Sequence, residues 1–226
     1  MSTDPFSLFS QFSGELSLGL FTKEHAAASY EDIAQELGAQ SFARVHQVHG
    51  NRAVRIHTAA NATEDADGML ASVPGLALCI SCADCQAFVI YAPKKRALGA
   101  LHVGWRGLIG GAIEKFFDAL KKECNIDASD TFVAAGPSLC MKCAEFSDPA
   151  QELPNVNTRF IRGRTVNLRG AAQERFEYCG VRPERFERHS DCTCCNRERY
   201  WTYRGGDQLS NATVHTNVFA AALMRE

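Results

Sequence analysis

The sequence predicts an α+β fold, a single mixed α/β domain over residues 1–226 with helices packed on a mixed β-sheet. Short runs rich in Val, Ile and Leu alternate with segments of helical periodicity, and a tight glycine turn joins one such run to a helix. Apolar residues make up 46% of the chain, enough to bury a sizeable core. Because no repeat, low-complexity tract or Pro/Gly/Ser-rich linker divides the sequence, we expect one domain.

The first half is predicted to open with a short helix and to continue with strands. Ser29 and Asp32 form a capping-box pattern at its start. Ile33 and Leu37 supply an apolar stripe before Gly38, the residue type that commonly ends a helix. Four runs rich in β-branched and aliphatic residues are then predicted to be strands, at 42–45, 53–57, 76–80 and 87–91.

The second half is predicted to alternate strands and helices. Residues 97–103 form a strand, and the turn at 104–107 leads into a helix whose apolar residues share one face, namely Ile109, Ile113, Phe116, Phe117 and Leu120. A buried strand at 131–135 and a helix at 168–179 follow, the helix ending before Gly180. For 214–223 the alanines favour a helix and the alternation of larger residues favours a strand, so composition does not decide.

Charge and hydropathy exclude several classes of protein. Lys and Arg number 24 against 26 Asp and Glu, a near balance that argues against nucleic-acid or anionic-membrane binding and favours a small neutral or modestly anionic ligand. The longest apolar stretch, around 76–80, is far shorter than the roughly 20 residues that a membrane span needs. The first fifteen residues lack a positive n-region and a cleavage pattern, so we expect a cytoplasmic protein.

Ten cysteines are many for such a protein, and in a reducing compartment they indicate metal ligands, a reactive thiol or small buried hydrophobes. Cys79, Cys82 and Cys85 follow C-x-x-C-x-x-C, but the next cysteine of an iron–sulfur motif is missing. A second zinc site is one interpretation of a later group, because C-x-x-C is a common half-site. We favour buried or partly exposed thiols for that group, which consists of Cys140, Cys143, Cys192, Cys194 and Cys195.

His49, Cys85 and His102 each close a predicted strand and are the candidate catalytic and metal-ligating residues. Two imidazoles and one thiolate form a ligand set suited to zinc, and three protein ligands leave a position for water or substrate. Cys85 and His102 also meet the minimum for thiolate catalysis, with His102 as base. Spacing alone does not decide whether these residues form a metal site, form a thiolate nucleophile with its base, or are simply packed or solvated.

Arg106 is a candidate anion-binding residue. It follows Trp105 between Gly104 and Gly107, just ahead of a predicted helix, where free backbone N–H groups and the helix dipole favour a phosphate or carboxylate. The equally weighted alternative is that Arg106 pairs with a nearby acid and the glycines only permit tight packing.

A string of short motifs resembles the YfiH-like family, also called the laccase-domain or multicopper polyphenol oxidase family. The motifs occur in the family's order within residues 42–204: Gln47-Val48-His49-Gly50, Asp67-Gly68, Ala83-Asp84-Cys85, His102-Val103-Gly104-Trp105-Arg106-Gly107, Gly136-Pro137 and Cys192-Thr193. The resemblance implies a YfiH-like fold, zinc held by His49, Cys85 and His102, and purine nucleoside phosphorylase activity. It also implies adenosine, inosine, guanosine and methylthioadenosine as substrates, and adenosine deamination as an associated activity.

The resemblance further implies that the partners are a nucleoside and phosphate, and we expect a monomer or homodimer. Arg106, Lys23 and Arg204 are the candidate phosphate or substrate contacts. Lys23 stands where the family has an arginine, which keeps the charge and loses the bidentate fork, and Gly205 replaces a second arginine after Arg204. Seven histidines without H-x-H pairs suit a multicopper centre poorly, although copper in place of zinc stays open.

Two alternatives accompany the phosphorylase hypothesis. One is a Cys–His thiol hydrolase or amidase of the same fold, built on Cys85 and His102. The other is a non-catalytic metal- or nucleoside-binding protein, which the altered segment around Lys23 would suit.

Overall fold

The computed structural model describes residues 6–26, 28–207 and 216–225. Its strands are β1 (Leu16–Phe21), β2 (Ser41–His46), β3 (Ala53–Arg55), β4 (Ala60–Asp65), β5 (Gly68–Ala71), β6 (Leu76–Cys82), β7 (Gln86–Ala92), β8 (Ala97–Val103), β9 (Phe132–Ala135), β10 (Ile161–Arg162), β11 (Thr165–Val166), β12 (Phe186–Arg188) and β13 (Asn217–Leu223). Its α-helices are α1 (Tyr30–Glu36), α2 (Trp105–Ile109), α3 (Ala112–Cys124), α4 (Pro149–Glu152) and α5 (Leu168–Tyr178). Among these helices none is long and apolar enough to cross a bilayer.

The strands form two mixed sheets and a small hairpin. Sheet A has the order β1-β13-β6-β2-β4, sheet B has the order β12-β9-β7-β8-β5-β3, and β10 pairs with β11. In sheet A, β2 runs parallel to β4 and β6, and the other pairs are antiparallel. In sheet B, the outer pairs β3–β5 and β9–β12 are parallel, and the pairs between them are antiparallel.

Four layers follow from the alternation of side chains along the strands. One face of each sheet packs in a shared core, where Val89 and Tyr91 of β7 belong to the same apolar cluster as Phe219 of β13. The other face of sheet B carries Phe88 and is covered by α3 and α5. The other face of sheet A is covered by α1. The central strands β7 and β8 are therefore buried on both faces, which explains why, apart from Gln86 and His102, their residues are apolar or aromatic.

The predicted mixed α/β class is confirmed, and most predicted elements are present, with two sheets where the prediction had one. The capping box of α1 forms: the Ser29 hydroxyl accepts from Asp32 N, and the Asp32 carboxylate accepts from Ser29 N at 2.8 Å. The single helix predicted after residue 104 is two helices, because Gly111 adopts φ +76° and breaks it. A left-handed residue of this kind interrupts the hydrogen-bond ladder and suits glycine.

In the ambiguous segment 214–223 the strand β13 spans Asn217–Leu223, Thr216 is a bend, and residues 214 and 215 lie outside the described part of the chain. β13 lies between β1 and β6 and hydrogen-bonds to both, so ladder pairing on two sides overrides the helix preference of its alanines. Six strands, β1, β4, β5, β10, β11 and β12, were absent from the prediction. β4 has a polar composition and lies at the edge of sheet A, where packing imposes no apolar alternation.

Candidate metal centre and active site

The three predicted ligands converge where the two sheets meet. Cys85 lies in the crossover from β6 of sheet A to β7 of sheet B, and His102 lies in β8 opposite Ala87. His49 follows β2 of sheet A. The Cys85 Sγ lies 3.7 Å from His49 Nε2, and one ligand atom from each of the three residues lies within 4.8 Å of the others. The sequence-predicted group is therefore a spatial cluster.

Asp67 supports two of the three ligands from behind. Its carboxylate is fully buried, and its Oδ1 lies 2.7 Å from His102 Nδ1. The same carboxylate accepts the backbone N–H groups of His49 at 3.0 Å and Gly50 at 2.6 Å. When Nδ1–H of His102 donates to this carboxylate, the imidazole keeps its proton on Nδ1, and the Nε2 lone pair of the neutral ring is available to a metal. The loop that carries His49 is fixed by the same carboxylate.

Close packing around the ligands depends on backbone conformation. His49 has φ 58°, a left-handed conformation that non-glycine residues seldom adopt and that its hydrogen bond to Asp67 supports. Gly104 lies against both of the less buried ligands. A Cβ added at Gly104 would lie 2.6 Å from His49 Cδ2 and 3.2 Å from Cys85 Sγ. The G of the H-x-G-W-R-G motif therefore provides room for the ligand side chains.

The electrostatics of the cluster favour a thiolate. Burial raises the pKa of the Cys85 thiol, but hydrogen bonds to His102 and His49 outweigh burial and bring that pKa down to about 7. Burial lowers the pKa of His102, and hydrogen bonds to Asp67 and Cys85 raise it to about 9. For Asp67, burial opposes ionisation, and the hydrogen bonds from His102 and Gly50 N still leave its pKa lowered. Cys85 is thus prepared to act as an anionic ligand or nucleophile.

Asp84 ties the Cys85 turn to two later loops. It has φ 85°, and its Oδ1 accepts the Thr193 hydroxyl at 2.6 Å. Its Oδ2 accepts the backbone N–H of Arg204 at 2.6 Å, and its carbonyl oxygen accepts that of Leu139 at 3.3 Å. The position of Cys85 therefore depends on contacts more than 50 residues away in the sequence.

The cluster opens into a cavity of about 820 Å³, a volume typical of small-molecule sites. Besides the three ligands, its lining includes residues of three chemical kinds. These are the arginines Arg44, Arg106 and Arg204, the aromatic residues Trp105, Phe146 and Tyr203, and the acids Glu145 and Glu152. The cavity thus offers positive charge for an anion, flat apolar surface, and carboxylates that accept hydrogen bonds.

Arg106 and Arg204 both lie at this cavity. The exposed Arg106 guanidinium stacks over the Trp105 ring at 4.2 Å, and the Trp105 ring packs edge-on against Phe146. Helix α2 is only five residues long, so its dipole contributes little and the arginine charge itself would have to bind an anion. Arg204 Nη2 donates to the Glu145 carbonyl at 2.8 Å, which holds the arginine at the cavity wall.

Lys23 occupies a different position from the one expected. Its Nζ forms an ion pair with Asp207 at 2.8 Å, donates to the Arg197 carbonyl at 2.7 Å and lies over the Trp201 ring. Lys23 is not among the described residues that line the cavity. Its contacts therefore hold Lys23 against the segment 197–207, which also contains Arg204.

The cysteines divide into separate groups. Cys79 and Cys82 lie three residues apart in β6 and therefore on opposite faces of sheet A, which argues against a cluster shared with Cys85. The sulfurs of four later cysteines do lie together, namely those of Cys140, Cys143, Cys192 and Cys195. They are free cysteines of mixed exposure, as the favoured interpretation expected, and their proximity, which depends on the pairing of two distant loops, keeps the alternative of a second metal site in view.

Sequence reasoning missed the roles of Asp67, Asp84 and Arg44. The motif strings contained Asp67-Gly68 and Ala83-Asp84-Cys85, but no spacing indicated what the carboxylates contact. Asp67 reaches His102 because β5 pairs with β8 in sheet B. This pairing belongs to the tertiary structure and cannot be seen in local sequence. Arg44 carried no sequence signal because it lies on a strand with ordinary alternation.

A family model described as multi-copper polyphenol oxidoreductase laccase matches residues 12–214. The chain belongs to this laccase family. A purine nucleoside phosphorylase of Deinococcus radiodurans is 32% identical over 112 residues, covering 48% of this chain and 42% of that protein. A purine nucleoside phosphorylase of Bacteroides thetaiotaomicron is 31% identical over 164 residues, covering 66% and 61%. The matches thus span about half the length of these curated relatives.

Solved structures confirm the YfiH-like fold of this laccase-family chain. The hypothetical protein YfiH of Bacillus licheniformis superposes with a TM-score of 0.78 at 16% identity, covering 99% of this chain and 100% of the other. YlmD of Geobacillus stearothermophilus superposes with a TM-score of 0.75 at 20% identity, covering 99% and 94%. At these identities the likeness concerns the fold alone.

The residues present in this laccase-family site fit a single transition-metal ion. Two imidazoles and a thiol supply three mixed N and S donors within 4.8 Å, and a buried carboxylate orients one imidazole. That combination matches three-ligand sites that keep one position open. A set of three donors suits one ion and does not suit the several copper ions that the family description suggests.

Proposed function

We propose that this protein is a zinc-dependent purine nucleoside phosphorylase. Its substrates would be adenosine, inosine, guanosine and methylthioadenosine together with phosphate, and adenosine deamination would be a second activity of the same centre. The observation that carries the proposal is the His49–Cys85–His102 cluster, supported by Asp67, at the base of an arginine-lined cavity of about 820 Å³. The names of the two relatives support the same reaction.

His49, Cys85 and His102 are the proposed catalytic residues because they would hold the metal. When bound, zinc would supply Lewis acidity and a template for the reacting groups, and in deamination it would lower the pKa of a water molecule to about 7. The protein's own contribution is positional. Asp67 fixes the tautomer of His102 and the loop of His49, so the donor atoms are arranged before the substrate arrives.

Arg106 and Arg204 are the proposed phosphate-binding residues, with Arg44 as a third cation at the same cavity. Planar guanidinium groups match phosphate oxygens in a bidentate manner. Lys23 would act indirectly in this proposal, since its bonds to Arg197 and Asp207 hold the segment that leads to Arg204.

The nucleoside would bind against the aromatic part of the cavity. Tyr203 is 72% exposed at the rim although it is a large ring, and Trp105 and Phe146 form an edge-to-face pair inside. Flat rings of this kind favour a purine base by stacking. Glu145 and Glu152 lie on the same lining and can accept hydrogen bonds from ribose hydroxyls.

The test is to incubate the purified protein with inosine or adenosine, with and without phosphate, and to separate the products by chromatography. Free base plus ribose 1-phosphate, formed only when phosphate is present, is the expected result. Cys85→Ser should abolish the reaction together with bound metal. Cys124→Ser, a thiol at the end of α3 that does not line the cavity, is the matched control and should retain both. Full activity in metal-free Cys85→Ser would contradict the zinc mechanism.

A thiol hydrolase or amidase is the second candidate, and the arrangement of Cys85, His102 and Asp67 favours it. The thiol contacts imidazole nitrogen, and His102 is oriented by a buried carboxylate, which is the layout of an activated nucleophile. Chelation of metal distinguishes the two candidates. If ammonia is still released from an amide substrate after complete metal removal, the hydrolase is supported. If ammonia release is lost together with the metal, the hydrolase is excluded. If calorimetry shows that a nucleoside binds but neither nucleosides nor amides are turned over, the protein has a binding function.

A further inference from the structure

We propose a second metal site, a structural zinc ion held by Cys140, Cys143, Cys192 and Cys195. The four residues form two C-x-x-C pairs, 140/143 and 192/195, on loops that follow β9 and β12. All four sulfurs lie within 4.8 Å of one another. A pair of C-x-x-C half-sites supplying four thiolates is the usual composition of a structural zinc site.

The sulfur separations match a tetrahedral metal site. Cys140 Sγ lies 3.8 Å from Cys143 Sγ and 3.9 Å from Cys195 Sγ, and Cys143 Sγ lies 3.5 Å from Cys195 Sγ. A regular tetrahedron with Zn–S bonds of about 2.3 Å has sulfur-to-sulfur edges of about 3.8 Å. A disulfide would require about 2.05 Å. The spacing is therefore that of thiols arranged around a common point.

The backbone turns that present the sulfurs are hydrogen-bonded. Cys143 N and Ala144 N both donate to the Cys140 carbonyl, at 3.0 and 3.1 Å, so the first pair lies on a tight turn. Asn196 N donates to the Cys192 carbonyl at 3.1 Å and closes the second turn. The two turns are joined directly, because Cys140 N donates to Cys192 Sγ at 3.2 Å. A backbone N–H aimed at sulfur stabilises the thiolate that a metal needs.

Charge around the cluster also suits a tetrathiolate. Four thiolates and one divalent ion leave a net charge of −2, which requires a nearby cation. The Arg169 guanidinium donates to the carbonyl groups of Ser138, Ser190 and Asp191, which lie on the two cysteine loops. Arg169 interacts electrostatically with Cys140 and Cys192. This half-buried cation would offset the charge of the metal site.

Four protein ligands leave no open position, so the site is structural rather than catalytic. Its position suggests what it holds. Leu139 next to the first pair and Thr193 within the second both bond to Asp84, which adjoins Cys85. The second zinc would therefore fix the two loops that anchor the turn of the first site, and it would do so whether or not the protein is a phosphorylase.

Metal content per chain tests this proposal directly. Protein purified without a polyhistidine tag under reducing conditions is analysed by mass spectrometry for metals, and about two zinc ions per chain are expected. Cys195→Ser, at the most exposed of the four cysteines, should retain about one. Cys85→Ser should also retain about one, and the double variant none. Cys194→Ser is the matched control, since this neighbouring thiol lies outside the cluster, and it should retain both.

Cobalt substitution gives a second readout that does not depend on a variant folding. Wild-type protein loaded with Co²⁺ should show the strong sulfur-to-cobalt charge-transfer band of a tetrathiolate in addition to the weaker band of the mixed site. One zinc per chain, lost in Cys85→Ser and kept in Cys195→Ser, would overturn the proposal. A mass lowered by disulfide formation in freshly purified wild-type protein, or iron at this stoichiometry, would also overturn it. A protein with two zinc ions and no nucleoside cleavage would support this site while refuting the proposed function.

Discussion

Replacing Asp67 with asparagine removes one buried charge at the back of the candidate metal centre and exchanges an acceptor oxygen for an NH₂ group of the same size. Oδ1 currently faces His102 Nδ1 and His49 N, and Oδ2 faces Gly50 N. Whichever way the new amide is turned, its NH₂ group meets a backbone or ring N–H that it cannot bond.

The expected magnitude follows from those contacts. Each buried donor left without an acceptor costs about 1–3 kcal/mol, so Asp67→Asn should lower the free energy of unfolding by about 2–4 kcal/mol. For a chain of this size that corresponds to a fall in Tm of about 5–15 °C. Loss of the carboxylate behind a metal-binding histidine should also weaken zinc binding at the first site by about 10–100-fold.

Zinc affinity is measured by competition with a chromogenic chelator, and Tm by calorimetry. Asp65→Asn is the matched control, because Asp65 forms the same kind of contact with His46 at 2.8 Å. The Asp65 and His46 side chains are 73% and 65% exposed, against 0% and 2% for Asp67 and His102, so solvent replaces the lost partner. Unchanged zinc affinity in Asp67→Asn, or an equal loss in Asp65→Asn, would refute the assignment of Asp67 as the group that orients the ligand.

Three further predictions test the same description. Gly104→Ala should displace the His49 ring, since the added Cβ would lie 2.6 Å from it, and should therefore weaken metal binding in the chelator assay. Gly14→Ala is the control: no atom lies within 4 Å of its added Cβ, so this variant should bind metal normally. Arg106→Lys should raise the KM for phosphate by about 10–150-fold in steady-state assays with kcat nearly unchanged, because a charge-assisted hydrogen bond contributes about 1.5–3 kcal/mol. Burial lowers the pKa of His189, so the unfolded chain binds its proton more readily and stability falls as the pH drops below about 6.5. A His189→Gln variant should therefore show a smaller loss of Tm between about pH 7.5 and 5.5, and an identical loss would contradict that role.

Much of the fold was predictable because local patterns agree with tertiary packing. The strand predicted at 97–103 coincides with β8, whose residues are buried on both faces and, apart from His102, apolar. The helix predicted to start near Ser29 is present because its cap and apolar stripe are local signals. Where local patterns missed an element or left a choice open, the cause is tertiary. β13 is a strand because two neighbours pair with it, although alanine favours helix.

The candidate site divides in the same way. His49, Cys85 and His102 became candidates because each closes a predicted strand, and the resemblance of the surrounding motifs, rather than their spacing, singled them out as a group. The role of Asp67 could not be predicted, since its contact with His102 depends on the register between β5 and β8. The contact of Lys23 with Asp207 could not be predicted either, because the two residues lie far apart along the chain.

The cluster of Cys140, Cys143, Cys192 and Cys195 could not be predicted for the same reason, since it depends on contact between distant segments. The C-x-x-C spacing suggested half-sites, but only the contact between the loops after β9 and β12 shows that the halves face each other. That contact includes the pairing of Ser138 with Cys192. Sequence spacing alone therefore could not distinguish a metal site from unrelated thiols.

The crossover that carries Cys85 has a consequence for how the protein unfolds. His102 lies in sheet B, whereas His49 and Cys85 lie in the two connections from sheet A to sheet B, β2–β3 and β6–β7, so an ion bound there would crosslink the sheets where they meet. Metal-loaded protein should then lose both sheets in one cooperative transition, with uniformly slow amide exchange in β6 and β8. The metal-free form should show faster amide exchange at the ends of these strands, where the two sheets can separate locally.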